Sequence, residues 1–374
     1  MTINYWLYAD PKDGQSLIMI DIVKKYFTQI VICKNFDQLI LNLKQDCRHV
    51  VFIIQPNYGI AADVWSYQMQ KLVSQPIQCV WVVNEIFTLN NPVTYRLPIK
   101  IMEWASTVPN LLIVAPGQHN FGTNHYPWAV WQHWLQDAVD VYKHPTMQNY
   151  INQLDPTIPK SQLFDVLLGG ERPYRTLLHD WIEEDPVLSA QTIMAYYGGK
   201  TTRPKIIYEP EMVLHEPIDH SGAVCQLQDV SARFSVMPPV SVYKQTAYSV
   251  VTETSAQHDY VFFTEKIAKV IACRRLFIAL SSYGYLNSLR ESGFKTFGNV
   301  INESYDLEVD DKRRWRMAFE QMQQLATMDQ SWVLEQIQPI VEHNSQVMMK
   351  TDWHKKMVND VNQILAARLN FKES

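Results

Sequence analysis

The sequence predicts an α/β fold: two Rossmann-like domains facing each other across a cleft, with a helical C-terminal tail. Three observations predict it. Short apolar, β-branched runs alternate with amphipathic stretches over residues 1–117. The same alternation returns from Phe164 to Asp306, and from Asp310 onward the chain reads as helix. Continuous apolar strands separated by helices are the pattern of a parallel sheet covered on both faces. At 374 residues the chain is also longer than one core usually serves, so more than one domain is expected. The boundaries read as 1–150, 160–345 and a final helix within 346–374 that returns to the first domain.

In the first half the expected strands are Tyr5–Ala9, Ile30–Cys33, Val50–Gln55, Gln78–Val83 and Leu111–Ala115. Between them lie helical stretches at Ser16–Tyr26, Phe36–Leu43 and Ala61–Leu72. The segment after the first strand, Asp10-Pro-Lys-Asp-Gly14, holds one glycine where a dinucleotide fingerprint needs three, which disfavours a nicotinamide or flavin site. In the second half Phe164–Leu168 is a strand, Gly169–Arg175 a turn, Thr176–Glu184 a helix and Thr192–Tyr197 a strand. Residues 200–245 are proline-rich and read as loop with short strands. A strand from Tyr248 ending in Glu253, a helix Thr264–Arg275 and a strand Leu276–Leu280 complete this half. The tail reads as helices Lys312–Ala326, Ser331–Val347 and Asp352–Leu369.

Composition narrows the class. Hydrophobic residues make up 47% and charged residues 19%, the balance of a soluble globular chain. A net charge of -5 argues against nucleic-acid binding by bulk charge and leaves a local basic groove open. No run of about 18 apolar residues suggests a membrane span, and Met1-Thr-Ile-Asn-Tyr5 lacks a signal-peptide core. The five cysteines (Cys33, Cys47, Cys79, Cys225, Cys273) form no CxxC pair and sit beside apolar runs, as buried small hydrophobes do. A reducing cytoplasm is the expected compartment.

The most informative stretch is Tyr248-Ser-Val-Val-Thr-Glu-Thr-Ser255, a short polar loop (Ala256 to Asp259), then a helix opening at Thr264-Glu-Lys-Ile267. A helix N-terminus offers unpaired N–H groups and a positive dipole end, a natural seat for phosphate. Glu265 adds a carboxylate for ribose hydroxyls and Lys266 an ammonium for a diphosphate. An ordinary strand–loop–helix with a Thr N-cap has the same pattern.

These residues carry a resemblance. Thr252–Ser255 followed by Asp259–Ile267 resembles the donor-binding signature of α1,3-fucosyltransferases, F-E-N-S…Y-x-T-E-K. Asp165–Arg175 is similar to the LLG-x-x-(R/K)-P-H-R turn of glycosyltransferase-like proteins of phages and marine microbes. Tyr285–Phe297 and Ile301–Asp306 resemble the same group, so the likeness covers about residues 164–320. It implies a GT-B-like arrangement and transfer of a sugar from a nucleotide sugar, with no cofactor beyond that donor. It also implies that Glu265 binds ribose, Lys266 and Arg175 the diphosphate, and that Glu253, Thr254, Ser255 and Thr264 shape the donor site. Thr254 stands where the pattern has asparagine and Tyr174 where the turn has histidine, which touches sugar and base specificity and removes an imidazole.

Further residues follow from the chemistry. Glycosyl transfer needs a base for the acceptor hydroxyl. Asp10 and Glu85, each just past a first-half strand, are the catalytic candidates, with Glu85 preferred on a central strand. No D-x-D lies near the donor motif, so metal independence is expected, with Lys, Arg and a helix dipole neutralising the leaving diphosphate. His215-Glu-Pro-Ile-Asp-His220 gathers potential metal ligands in a proline-rich loop without helical spacing. Asp310-Asp311 reads as the cap of a basic helix. Trp128, Trp131 and Trp134, at helical spacing, read as sugar- or base-stacking faces or as helix core. Lys312-Arg-Arg-Trp-Arg316 reads as a contact for a polyanionic acceptor or as a solvated face. G-x-S-x-G and P-loop signatures do not occur. Three classes remain: a glycosyltransferase acting on a glycan or protein, a phage-type enzyme glycosylating a hydroxylated DNA base, and a non-catalytic nucleotide-sugar-binding module.

Overall fold

The computed structural model describes residues 5–8, 30–33, 36–43, 50–54, 67, 70–72, 74, 78–82, 111–116 and 125–128. From 133 it describes the chain to 363 apart from 200, 208, 216–222, 255, 257–260, 262, 358 and 361–362. The chain is an α/β protein that divides into two compact units, Met1–Trp131 with His354–Ser374, and Gln132–Trp353. Among the described residues no helix is long and apolar enough to cross a membrane.

The first unit holds strands β1 (Tyr5–Tyr8), β2 (Ile30–Cys33), β3 (Val50–Ile54), β4 (Gln78–Val82), β5 (Leu111–Pro116) and β6 (His125–Trp128). They form one sheet of order β2-β1-β3-β4-β5-β6, parallel throughout. Helix α1 (Phe36–Leu43) buries Phe36, Leu39, Ile40 and Leu43, one face of a helix turn by turn. Tyr67 and Gln70–Leu72 are helical within the expected Ala61–Leu72, while Ser16–Tyr26 lies outside the described residues. Strand β6 corrects one expectation. Trp128 ends a strand paired with Pro116 and so does not share a helical stripe with Trp134 in the helix His133–Tyr142, while Trp131 lies outside the described residues. The reason is Pro127, which resists helix and is tolerated on an edge strand such as β6.

The second unit opens with α2 (His133–Tyr142) and α3 (Pro145–Ile151). Next come β7 (Gln162–Leu168), α4 (Pro173–Glu184), α5 (Pro186–Ala190) and β8 (Thr192–Tyr196). The proline-rich stretch forms a small antiparallel sheet, β9 (Val213–Leu214), β10 (Val224–Leu227) and β11 (Val230–Arg233), followed by α6 (Val240–Tyr243). Then follow β12 (Thr246–Thr252), α7 (Glu265–Ala272), β13 (Leu276–Leu280) and α8 (Tyr285–Glu291). A 3-10 turn (Glu303–Leu307) leads to α9 (Asp311–Ala326) and α10 (Gln330–Lys350). Beyond it Trp353–Met357, Asn359, Asp360 and Gln363 are helical.

The central sheet has order β13-β12-β7-β8, all parallel. From β7 the chain steps outward to β8, then returns past β7 to β12 and steps outward to β13. The strand order therefore reverses between β7 and β12. Every residue of β12 and β13 is buried, because helices cover both faces. Helix α7 packs with α2 and α10, and α4 with α5 and α9. Right-handed crossovers from β7 to β8 through α4 and from β12 to β13 through α7 run in opposite directions along the sheet, which puts the two helices on opposite faces.

Helix α7 ends earlier than its apolar pattern suggested, at Ala272 instead of Arg275. Arg274 takes a left-handed conformation (φ 54°) and the Arg275 N–H reaches back to the Val270 carbonyl, a Schellman stop. That turn aims Arg275 under the sheet. All five of its donors are used: Nε to Ser249 Oγ (2.8 Å), Nη1 to the Thr246 and Tyr243 carbonyls, Nη2 to Asp165 Oδ1 (2.7 Å) and Thr246 Oγ1 (2.8 Å). The Ser249 hydroxyl also donates to Asp165 (2.9 Å), and the guanidinium lies 4.1 Å from the centre of the Tyr243 ring. The Asp165 and Arg275 side chains are 4% and 5% exposed, so breaking this pair strands a buried charge. Asp165→Ala is expected to cost about 3–5 kcal/mol in urea unfolding. Asp165→Leu with Arg275→Met should cost less than either single change.

Candidate functional site

In open parallel sheets a ligand crevice forms at the carboxyl ends of the strands where the strand order reverses. Here that point lies between Leu168-Gly169-Gly170, leaving β7, and Thr252-Glu253-Thr254, leaving β12. The N-termini of α4 and α7 both follow these loops. The donor-binding candidates therefore fall on one edge of one sheet, although they are far apart in sequence.

Glu253 is the node. The strand ends at Thr252, one residue before the expected end, and the Glu253 side chain is completely buried. Its carboxylate accepts hydrogen bonds from the Thr264 hydroxyl (2.6 Å), the Thr264 N–H (3.3 Å) and the Tyr285 hydroxyl (2.8 Å). Burial pushes this carboxyl above its ordinary value, while the Lys266 charge and the two hydroxyls oppose the shift and Glu265 adds to it. Glu253 thus orients the loop and has no free oxygen edge for a sugar. Tyr285, the third corner of this network, belongs to the Tyr285–Phe297 likeness but is not among the site candidates, because it follows a different strand.

Thr264 is the N-cap of α7, not its first helical residue, and its hydroxyl accepts from the Lys266 N–H (3.2 Å). The Lys266 ammonium lies 2.7 Å from Glu265 Oε1, 3.3 Å from Thr254 Oγ1 and 3.4 Å from Thr264 Oγ1, with its side chain 24% exposed. Burial pushes the Glu265 carboxyl up, but Lys266 and Lys269 outweigh it and hold it below its usual range. Thr254, at the asparagine position of the resemblance, is exposed beside Lys266. Ser255, Asp10 and Glu85 lie outside the described residues.

The two residues of the R-P-Y-R turn are turned inward. The Arg175 guanidinium donates to the carbonyls of Gly170 (2.8 Å), Thr252 (3.2 Å) and Glu253 (3.1 Å), and the residue is 5% exposed. It stitches the two strand ends across the reversal point. The Tyr174 hydroxyl donates to the carbonyls of Glu253 and Thr254 and is likewise buried. A phenol reaches these carbonyls from the buried side of the turn, so the position given to histidine in the resemblance serves packing here.

The basic cluster of α9 is divided between a buried and an exposed face. Arg314 is 2% exposed and donates to the carbonyls of Ser281 (2.9 Å), Glu308 (2.8 Å) and Ala256 (3.0 Å), and pairs with Asp311. Trp315 donates its indole N–H to the same Ala256 carbonyl (2.8 Å). Arg313 pairs with Glu308, and Arg316 faces Glu320 and the rings of Trp181 and Phe319. The helix turns Arg314 toward the sheet edge and the loop after β12 and leaves Lys312, Arg313 and Arg316 exposed, because their spacing alternates between the packed and solvent faces. Asp310 caps the helix through the Arg313 N–H (2.8 Å). His215 hydrogen-bonds Gln226 across the small sheet, while Asp219 and His220 lie outside the described residues. Cys33, Cys225 and Cys273 are free and buried.

No protein-family model matches this chain, and no curated protein matches it.

The raised Glu253 carboxyl has a testable sign. A carboxyl raised by folding costs the folded state stability as pH climbs from its ordinary value through the raised one. Glu253→Gln keeps the volume and an acceptor oxygen but cannot ionise. The Tm difference, variant minus wild type, is therefore expected to grow more positive between about pH 4 and pH 8 by calorimetry. A constant difference would show that Glu253 ionises as easily in the fold as in the unfolded chain.

Proposed function

We propose that this protein is a glycosyltransferase that moves a sugar from a nucleotide-sugar donor to an acceptor hydroxyl without a divalent metal. In this reading the two units are the halves of a GT-B-like enzyme of the α1,3-fucosyltransferase type, and the second unit holds the donor. One observation carries most weight. Thr264-Glu265-Lys266 caps and opens a helix at the edge where the strand order reverses, with the Lys266 ammonium 3.3 Å from the exposed Thr254 hydroxyl. An ammonium at a helix N-terminus is suited to the charge of a departing diphosphate. The fixed Glu265 carboxylate beside it suits ribose hydroxyls.

The acceptor hydroxyl needs a base from the first unit. Asp10 follows β1 by two residues and Glu85 follows β4 by three. In that sheet the order reverses between β1 and β3, so the preference moves from Glu85 to Asp10. Of the basic cluster that the DNA-modifying alternative would use, Arg314 is buried and engaged by carbonyls and Asp311, while Arg313 and Arg316 are exposed.

Lys266→Ala is expected to weaken nucleoside diphosphate binding by roughly 1.5–3 kcal/mol, the weight of a charged hydrogen bond. Calorimetric titration measures it, and unchanged affinity would sink the donor assignment. Glu265 loses its nearest cation in this variant, so a modest fall in Tm should accompany the loss.

Transfer is expected to persist in excess EDTA once a donor and acceptor are found. Activity abolished by chelator and restored by Mg²⁺ or Mn²⁺ would transfer the diphosphate's neutralisation to a metal, with His215, Asp219 and His220 the first residues to mutate.

A further inference from the structure

We infer that Arg172, not Arg175, is the second cation that meets the anionic end of the donor, and that Arg175 is a positioning residue for the loop carrying it. This inference rests on the donor reading above and sharpens it. The turn from β7 into α4 carries two arginines in opposite circumstances. Arg175 is 5% exposed and both of its terminal nitrogens are committed to backbone carbonyls of Gly170, Thr252 and Glu253. An anion drawn to those nitrogens would have to break the stitch across the reversal point. Arg172 is exposed, and among the described residues its guanidinium makes no hydrogen bond or ion pair.

The backbone around Arg172 is held in place from two sides. Gly198, just past β8, lets the loop approach so closely that a Cβ there would lie 2.8 Å from the Glu171 Cβ and 2.9 Å from its Cα. On the other side Arg175 Nη1 holds the Gly170 carbonyl at 2.8 Å. Between these anchors a Cβ on Gly170 would meet nothing within 4 Å, so the turn faces open space. Arg172 is the N-cap of the 12-residue helix α4 and supplies no side-chain cap; Pro173 carries no N–H and the Arg175 and Thr176 N–H groups turn back to the Arg172 carbonyl, so what this turn offers an anion is the Arg172 guanidinium itself.

The α4 turn and Lys266 converge on one residue: Tyr174 donates to the Thr254 carbonyl (3.0 Å) and Lys266 approaches the Thr254 hydroxyl (3.3 Å). A diphosphate beside Thr254 would have Lys266 on one flank and Arg172, from the turn into α4, on the other. The ligand class is a nucleoside diphosphate group, and its two phosphates match two solvent-facing cations.

The test is calorimetric titration of the full chain with ADP, CDP, GDP, TDP and UDP, and with the nucleoside of whichever binds. Arg172→Ala is expected to weaken the diphosphate roughly 10- to 100-fold, leave the nucleoside unchanged and leave Tm unchanged. Arg172→Lys should restore part of the loss. Arg175→Lys, which keeps the charge and removes the fork, should lower Tm and weaken nucleoside and diphosphate together. Arg172→Ala titrating like wild type, while Lys266→Ala is weakened, overturns the inference and leaves the donor reading standing. A selective loss of the diphosphate in Arg175→Lys with Tm unchanged overturns it equally. Wild-type protein that binds none of the five diphosphates overturns both.

Discussion

The candidate site depends on one buried residue. Glu253 offers its carboxylate to Thr264 and Tyr285 and its carbonyl to Tyr174 and Arg175. It thereby joins the end of β12 to the starts of α4, α7 and α8. A buried carboxylate is costly unless its acceptor sites are filled, and here they are filled by groups from the elements that must be aligned. The cost of burial and the alignment of the edge are one and the same interaction.

A second network holds the same strands from below. Asp165, Ser249, Thr246 and Arg275 tie β7, β12 and the entry to β13 through a fully used guanidinium. With polar ties at both levels and apolar packing between, the loops at the carboxyl edge stand on a rigid frame. Rigidity matters for the proposed chemistry, since a cation stabilises a departing diphosphate best when it does not have to move to do so.

The edge also sorts its cations. Arg175 and Arg314 are buried and spent on carbonyls and a carboxylate, each holding a loop or strand end, as Arg275 is at the opposite, amino end of the strands. Lys266 and Arg172 keep access to solvent. Arginine suits the first task because its planar fork can serve several carbonyls at once. The helix α8 is different again: its N-terminal N–H groups are taken by the Asp306 carboxylate, at 2.8 Å from Leu286 N and 3.0 Å from Asn287 N, so that helix end is already neutralised.

What the sequence determined by itself was the periodic part. Leu276–Leu280 is apolar throughout, and Phe164–Leu168 is apolar except for Asp165, because both sheet faces are covered, and such runs announce parallel strands. The Thr264 cap was legible too, since capping is a local matter of a hydroxyl and the N–H groups a few residues on. Burial and direction were not local. Arg172 and Arg175 look alike in the sequence, and only the approach of Thr252 and Glu253 from a distant strand turns one inward and leaves the other out. Within Lys312–Arg316 the sequence does not separate Arg314, which the sheet edge takes up, from Arg313 and Arg316, which stay exposed. Trp128 kept helical spacing with its neighbours yet joined a strand, because pairing with β5 outweighed periodicity. Charge type is written along the chain, but whether a charge faces water is decided by partners that arrive from elsewhere in the fold.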